Sequence, residues 1–304
     1  MKPALKFLAF DTSTDVLSVA LTDGAQTWAY EGAGGAQASA QLIPSVLDLL
    51  AQAGWALPEL DAIVFGRGPG SFTGLRTACA VAQGLAFGAD VPVLPVDTLL
   101  AVAEQARASR PNPHDTPLCV LALLDARMDE VYSAAYHWQG AALGWQAVQT
   151  LQVGKPETVA LTASAPASGV DWLCAGNAFQ AYGERLPLTL PRVDALPTAQ
   201  ALLRLAPALF QAGLAVPAEQ AIPLYVRDKV AHTTAEREVI QAEKLAAQAA
   251  EKTAEKTAEK VAASGQPVEV QNPVPGRFHP PSPRRKHPLC KPDLNHSPWT
   301  TWTR

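Results

Sequence analysis

Two stretches, far apart in the chain, share one pattern. In LKFLAFDTSTDVLSVALTD (residues 5–23) and LCVLALLDARMDEVYSAAYHW (residues 118–138), an apolar run ends in an aspartate. A second aspartate stands four residues further on, and an alternating stretch comes next. Asp11 and Asp15 correspond to Asp125 and Asp129, while side-chain identity is otherwise thin. A continuous apolar run reads as a buried strand and alternation as a half-buried one, so each stretch predicts strand, acidic turn, strand. A chain that restarts the same hairpin midway is expected to fold as two related halves.

The remaining signals up to residue 232 fit an α/β order. KFLAFD, VLSVALTD and QTWAYEG read as strands, the last two joined through TDGAQ, where Asp23-Gly24 is a hairpin signal. ASAQLIPSVLDLLAQAG reads as an amphipathic helix with Leu42, Val46, Leu49 and Leu50 on one face and Gly54 as its stop. Pro44 is expected in its first turn, or at a kink. Strand AIVFG, a glycine-rich loop, helix LRTACAVAQGLAFGA, strand VPVLPV and a helix capped by Asp97 or Thr98 come after it. The expected organisation is a first lobe (1–110), a second lobe (111–232) and a low-complexity tail (233–304).

Charge separates the tail from the rest. Residues 1–232 hold 13 Lys and Arg against 20 Asp and Glu, whereas residues 233–304 hold 11 against 8. An acidic body is a poor unaided binder of a phosphate backbone, which needs clustered cations. In the tail, EKTAEKTAEK (251–260) repeats every four residues and a proline-rich basic stretch succeeds it, so disorder is expected. Arg284, Arg285 and Lys286 are its candidates for a weak anion or RNA contact. No apolar run is long enough to span a membrane, and Asp11 interrupts the only leader-like run. Cys79, Cys119, Cys174 and Cys290 have no paired spacing, which fits buried thiols in a reducing cytoplasm.

The loop FGRGPGSFTGLRTA (65–78) carries the main candidate site: Arg67, Gly68, Gly70, Ser71, Thr73, Gly74 and Arg76, with Asp11 from the first acidic turn. A strand, glycines and a helix N-terminus offer N–H donors to an anion or a partner. A phosphate loop, however, needs Gly-Lys-Ser/Thr at the helix entry; here Gly74 precedes Leu75, and no lysine occurs between Lys6 and Lys155. The same glycines equally suit a structural turn. Asp11, succeeded by Thr12, Ser13 and Thr14, has a site-facing reading; Asp125 and Asp129 read as structural. The six histidines show no metal-ligand spacing, and Ser71 lies outside a G-x-S-x-G elbow. No catalytic residue and no metal site is therefore expected. The competing reading is an actin-like small-molecule kinase or ATPase using Asp11 and the glycine loop.

FLAFDTSTDVLSVAL, FGRGPGSFTGLRTACAVAQGLA, VLALLDARMDEVY, CAGNAF and PLYVRDKVA, in this order, resemble the TsaB family of tRNA threonylcarbamoyladenosine modification subunits, over residues 5–232. The resemblance implies a duplicated actin-like (ribonuclease H-like) two-lobed α/β fold whose nucleotide machinery has decayed. It implies a non-catalytic, cytoplasmic subunit that pairs with a TsaD-like catalytic subunit, joins a TsaE-like ATPase and meets tRNA only through that complex. ATP and metal are then expected on the partners, with a homodimer when the chain is alone. The helix that carries metal histidines in the catalytic paralogue matches residues 37–53, and QASAQLIPSVLDLL holds none. The implied pairing face is built from helices 37–53 and 72–89, with Leu42, Val46, Leu75, Cys79, Ala82 and Ala86 as its expected members.

Overall fold

Residues 4–111, 116–163 and 170–226 are described by the computed structural model. The expected tail and its candidate cations lie outside them. Strands β1 (Phe7–Asp11), β2 (Val16–Thr22) and β3 (Thr27–Ala33) form an antiparallel meander. Strands β4 (Ala62–Gly68) and β5 (Val93–Asp97) extend the sheet in parallel from the other side of β1. The second sheet repeats the plan. Strands β6 (Leu118–Arg127), β7 (Glu130–Trp138) and β8 (Trp145–Gly154) make the meander, and β9 (Asp171–Gly176) and β10 (Arg192–Asp194) the parallel extension. The orders β3-β2-β1-β4-β5 and β8-β7-β6-β9-β10 match element for element, so the repeated hairpin does open two related halves.

Among the described residues five α-helices accompany these strands: α1 (Ala38–Ala53), α2 (Phe72–Ala89), α3 (Thr98–Ala108), α4 (Ala178–Tyr182) and α5 (Ala199–Gln211). Leu42, Val46, Leu49 and Leu50 of α1 are buried as their spacing requires, and Gly54 closes the helix in the left-handed conformation. Pro44 lies beyond the first turn; it is solvent-exposed and costs the helix only the bond to the Ala40 carbonyl. Asp97 is the N-cap of α3 but makes no side-chain cap bond, because its carboxylate is taken by Arg67.

Each sheet alternates its side chains between two cores. Leu8 and Phe10 of β1, with Ile63 and Phe65 of β4, face α1 and α2; Phe7, Ala9 and Val64 face α5. Helix α5 therefore returns to cover the first sheet, although it comes after the last strand of the second. The boundary at residue 111 separates the sheets, while α5 crosses it to cover, with Ala101 of α3, the second apolar face of the first sheet. Ser18 Oγ on β2 accepts the N–H of Ala199 at 2.9 Å and fixes the start of that helix. Helix α3 covers the β6–β7–β9 face of the second sheet. Between the lobes the buried Glu104 on α3 accepts two bonds of 2.8 Å from Arg107, one from Arg204 on α5 and one from Trp145 on β8. A carboxylate so enclosed is held by donors rather than left to pay full desolvation.

Candidate functional site

At the lobe junction the β1–β2 turn meets the glycine loop. Asp11 is fully buried at the end of β1; its Oδ1 accepts the Ser13 N–H at 2.9 Å and the Ser13 hydroxyl at 2.6 Å, while Oδ2 has no hydrogen-bond partner. Burial pushes its carboxyl up to about 6, with the two Ser13 bonds acting in the opposite direction. Asp11 is not among the residues lining the inter-lobe cleft; its carboxylate folds back on its own turn and abuts Gly66.

The glycines serve backbone contact. A Cβ on Gly74 would stand 1.8 Å from the Thr12 carbonyl oxygen, and one on Gly66 would stand 1.8 Å from Asp11 Oδ2. The loop presses directly on the turn, with Ser71 N–H donating to Ser13 O at 2.8 Å and Thr12 Oγ1 donating to Gly74 O at 2.7 Å. Gly70 is also pressed close against Ser13. Gly68 holds φ +121° and donates its N–H to Thr98 Oγ1 at 3.0 Å, which occupies that hydroxyl. Arg67 Nε reaches Asp97 at 2.6 Å. Thr73 gives its carbonyl to the Thr77 hydroxyl. Arg76 stacks 3.8 Å over Phe72 and donates to the Tyr225 hydroxyl. Of the eight expected loop-site residues, only Gly70 and Ser71 line the cleft.

The cleft has a volume of about 260 Å³ and is lined by both acidic turns, the start of α2, Asn177 and residues 224–226. On its far wall Arg127, Met128 and Asp129 all have positive φ, and Arg127 crosses to Asp15 at 2.7 Å while also pairing with Asp125 at 3.2 Å. These contacts, the Asp15 hydrogen bond first, raise the guanidinium above its usual range. Asp125 Oδ1 also takes the Tyr182 hydroxyl at 2.7 Å, and Arg185 holds Asp129. Both acids are tied into the hairpin. Leu224 N–H donates to Arg67 O at 2.7 Å and Tyr225 rests on Phe72, so the chain's own later segment straps the loop down. The strap falls in PLYVRDKVA, one of the stretches that carry the resemblance, although its sequence does not say what it packs against.

The expected pairing residues need correction. Leu42, Val46, Cys79, Ala82 and Ala86 are at most 6% exposed and belong to the core on the first sheet, while the equally buried Leu75 lines the cleft beside Gly68. The outward side of the two touching helices instead shows Ile43, Leu47 and Phe87, the last 82% exposed, beside exposed Ala80 and Gly84. Ile43 and Leu47, four residues apart, form a second apolar stripe on α1 that was readable in the sequence.

A model of the TsaD family, tRNA N6-adenosine threonylcarbamoyltransferase, matches residues 35–267. The tRNA threonylcarbamoyladenosine biosynthesis protein TsaB of Escherichia coli K12 is 36% identical over 231 residues, 75% of this chain and 96% of its own length. Its namesake from Haemophilus influenzae is 35% identical over 240 residues, 74% of this chain and 95% of its own length. The solved structure of YeaZ from Pseudomonas aeruginosa superposes with a TM-score of 0.65 at 40% identity, covering 73% of this chain and all of that one.

Proposed function

Since this chain belongs to the TsaB family, we propose that it serves tRNA threonylcarbamoyladenosine biosynthesis as a non-catalytic cytoplasmic subunit that pairs with a TsaD-like transferase. A TsaE-like ATPase joins that pair, and tRNA is met through the assembly. The carrying observation is the outward face of α1 and α2. Phe87 of α2 stands almost fully in solvent, Ile43 and Leu47 are exposed on the touching helix α1, and nothing lies within 4 Å of a Cβ built on Gly84. A large apolar anchor beside a backbone that a second helix can approach closely is the composition of a helix-docking face. Alone, the same face pairs two copies of this chain.

The kinase or ATPase reading loses its two supports. Asp11 is buried away from the cleft, and the space at Gly66, Gly70 and Gly74 is filled by the β1–β2 turn, that at Gly68 by Leu224 and Leu75. The cleft falls below the roughly 300–1,000 Å³ of ordinary small-molecule pockets. On this reading, ATP and metal reside on the partner subunits.

The test is Phe87→Arg, mixed with the TsaD-like subunit and assayed by size-exclusion chromatography and calorimetry. Association weakened by about tenfold or more, with an unchanged melting profile, is expected for loss of an interface anchor. Undiminished association would remove the α1–α2 face from the proposal; no association by the unaltered chain would remove the pairing itself. Among the described residues no helix is long and apolar enough to cross a membrane.

A further inference from the structure

Helix α2 has three sides, set by its turn of about 100° per residue. Ala78, Ala82 and Ala86 are buried on the first sheet, and Thr73, Ala80, Gly84 and Phe87 are exposed along the outward side. Between these sides lie Phe72, Arg76, Cys79 and Gln83, and the strap, residues 221–226, runs along that third row. The Cys79 thiol and Gln83 Nε2 both donate to the Ala221 carbonyl, at 3.2 and 2.8 Å. Arg76 Nε donates to the Tyr225 hydroxyl at 3.1 Å, and the Tyr225 ring lies 5.1 Å from that of Phe72. At 1.5 Å per residue, the strap borders the outward side of α2 for about 16 Å.

The same segment walls the cleft. Leu224, Tyr225 and Val226 line it, and the Leu224 N–H, donated to Arg67 O at 2.7 Å, ties them to the glycine loop. The strap is lightly held: only Ala221 is buried, none of its residues belongs to a helix or strand, and Ile222 and Tyr225 are 67% and 45% exposed. A segment with so few buried contacts opens at a small fraction of the global unfolding free energy.

The chemistry of this flank says what covers it. Its exposed apolar side chains continue the outward side of α2, so one partner seated on that side reaches both. Arg76 stacks on Phe72, yet among the described residues no carboxylate pairs with it, which makes it complementary to an acidic group of that partner. A guanidinium on an aromatic ring beside exposed apolar residues has the composition of an interface anchor.

We propose that the strap couples the pairing face to the cleft: a TsaD-like subunit seated on α1 and α2 also covers Ile222 and Tyr225, brings a carboxylate to Arg76, and so holds the strap shut against the glycine loop. This coupling rests on the pairing role proposed above and concerns its consequence for the cleft. It is reciprocal, so whatever the partner gains from a seated strap, the strap gains from the partner.

Hydrogen exchange read by mass spectrometry on the full-length chain, alone and saturated with the TsaD-like subunit, tests it beside calorimetry of pairing. Exchange at the Leu224 amide should slow by about fivefold or more in the complex. Tyr225→Ala removes the ring from Phe72 and the acceptor from Arg76; it should speed that exchange in the free chain and weaken pairing by about fivefold or more. Ile222→Asp, at a side chain mostly in solvent, should weaken pairing by about tenfold while leaving free-chain exchange and the melting profile unchanged. Unaltered exchange at Leu224 in the saturated complex would overturn the coupling, as would Tyr225→Ala or Ile222→Asp chains that pair like the parent. Should Phe87→Arg weaken pairing while these variants do not, the pairing role stands and the coupling alone falls. Should the unaltered chain form no complex, both fall together.

Discussion

The two lobes share one strand order, yet their strand-end aspartates stand in opposite surroundings. In the first lobe Asp11 is sealed beneath the glycine loop with one carboxylate oxygen unpartnered. In the second, Asp125 takes Arg127 and Tyr182 at the cleft wall. The difference originates in the segment that leaves the fourth strand of each sheet. After β4, glycines let the backbone lie directly on the turn and launch the 18-residue α2. After β9, Asn177 Oδ1 accepts the Asp125 N–H, and α4 ends after five residues. Gly176 at the end of β9 is pressed on the Leu123 backbone as well, so the lobes differ in that the first packs three loop glycines on its turn while the second adds the Asn177 side-chain bond. Only the first presents a long helix to the outside.

The sharpest way to break this comparison is Gly74→Ala. Its methyl would enter the space of the Thr12 carbonyl, and a loss of about 3 kcal/mol in chemical unfolding is expected from overpacking. Gly84→Ala in the same helix, which meets open space, should instead gain about 0.5–1 kcal/mol from helix propensity. If both were neutral, the loop would not be the packed joint described.

Next in size is a pair of equivalent substitutions with opposite sign. Asp11 has an ordinary carboxyl value of 3.8 when unfolded and about 6 when folded. Folding therefore takes up a proton between these values, and stability falls as pH rises from about 4 to about 6. Asp11→Asn, which keeps the Oδ1 acceptor, should stabilise the protein at pH 8 by an amount on the order of 2 kcal/mol and converge with the parent below about pH 4. Asp125→Asn should destabilise by about 1 kcal/mol, because it weakens charge-assisted bonds. Parallel urea titrations at pH 4 and pH 8 check both, and equal signs at pH 8 would erase the contrast between the lobes.

The smallest effect belongs to the bridge between the lobes. Arg127 and Asp15 are largely exposed, so Arg127→Ala should change stability by less than about 0.5 kcal/mol in a thermal melt. A larger loss would mean that the ion pair, and not α3 and α5, fastens the lobes together.

The features that the sequence determined by itself were periodic and local. Apolar runs and alternation located the strands, the repeated aspartates announced the duplication, and Gly54 marked the end of α1. The charge change at residue 233 is likewise a property of the chain alone. Tertiary structure decided everything that depends on which residues meet. It turned Leu42, Val46 and Ala82 inward and left Ile43, Leu47 and Phe87 outside, a choice that helical spacing leaves open when a helix is apolar on two faces. It brought Gly66 and Gly74 against a turn some sixty residues earlier, and Leu224 against Arg67. It also returned α5 to the first sheet. Burial is set by partners distant in the chain, so a glycine made necessary by close approach looks, in sequence, the same as one that cradles a phosphate.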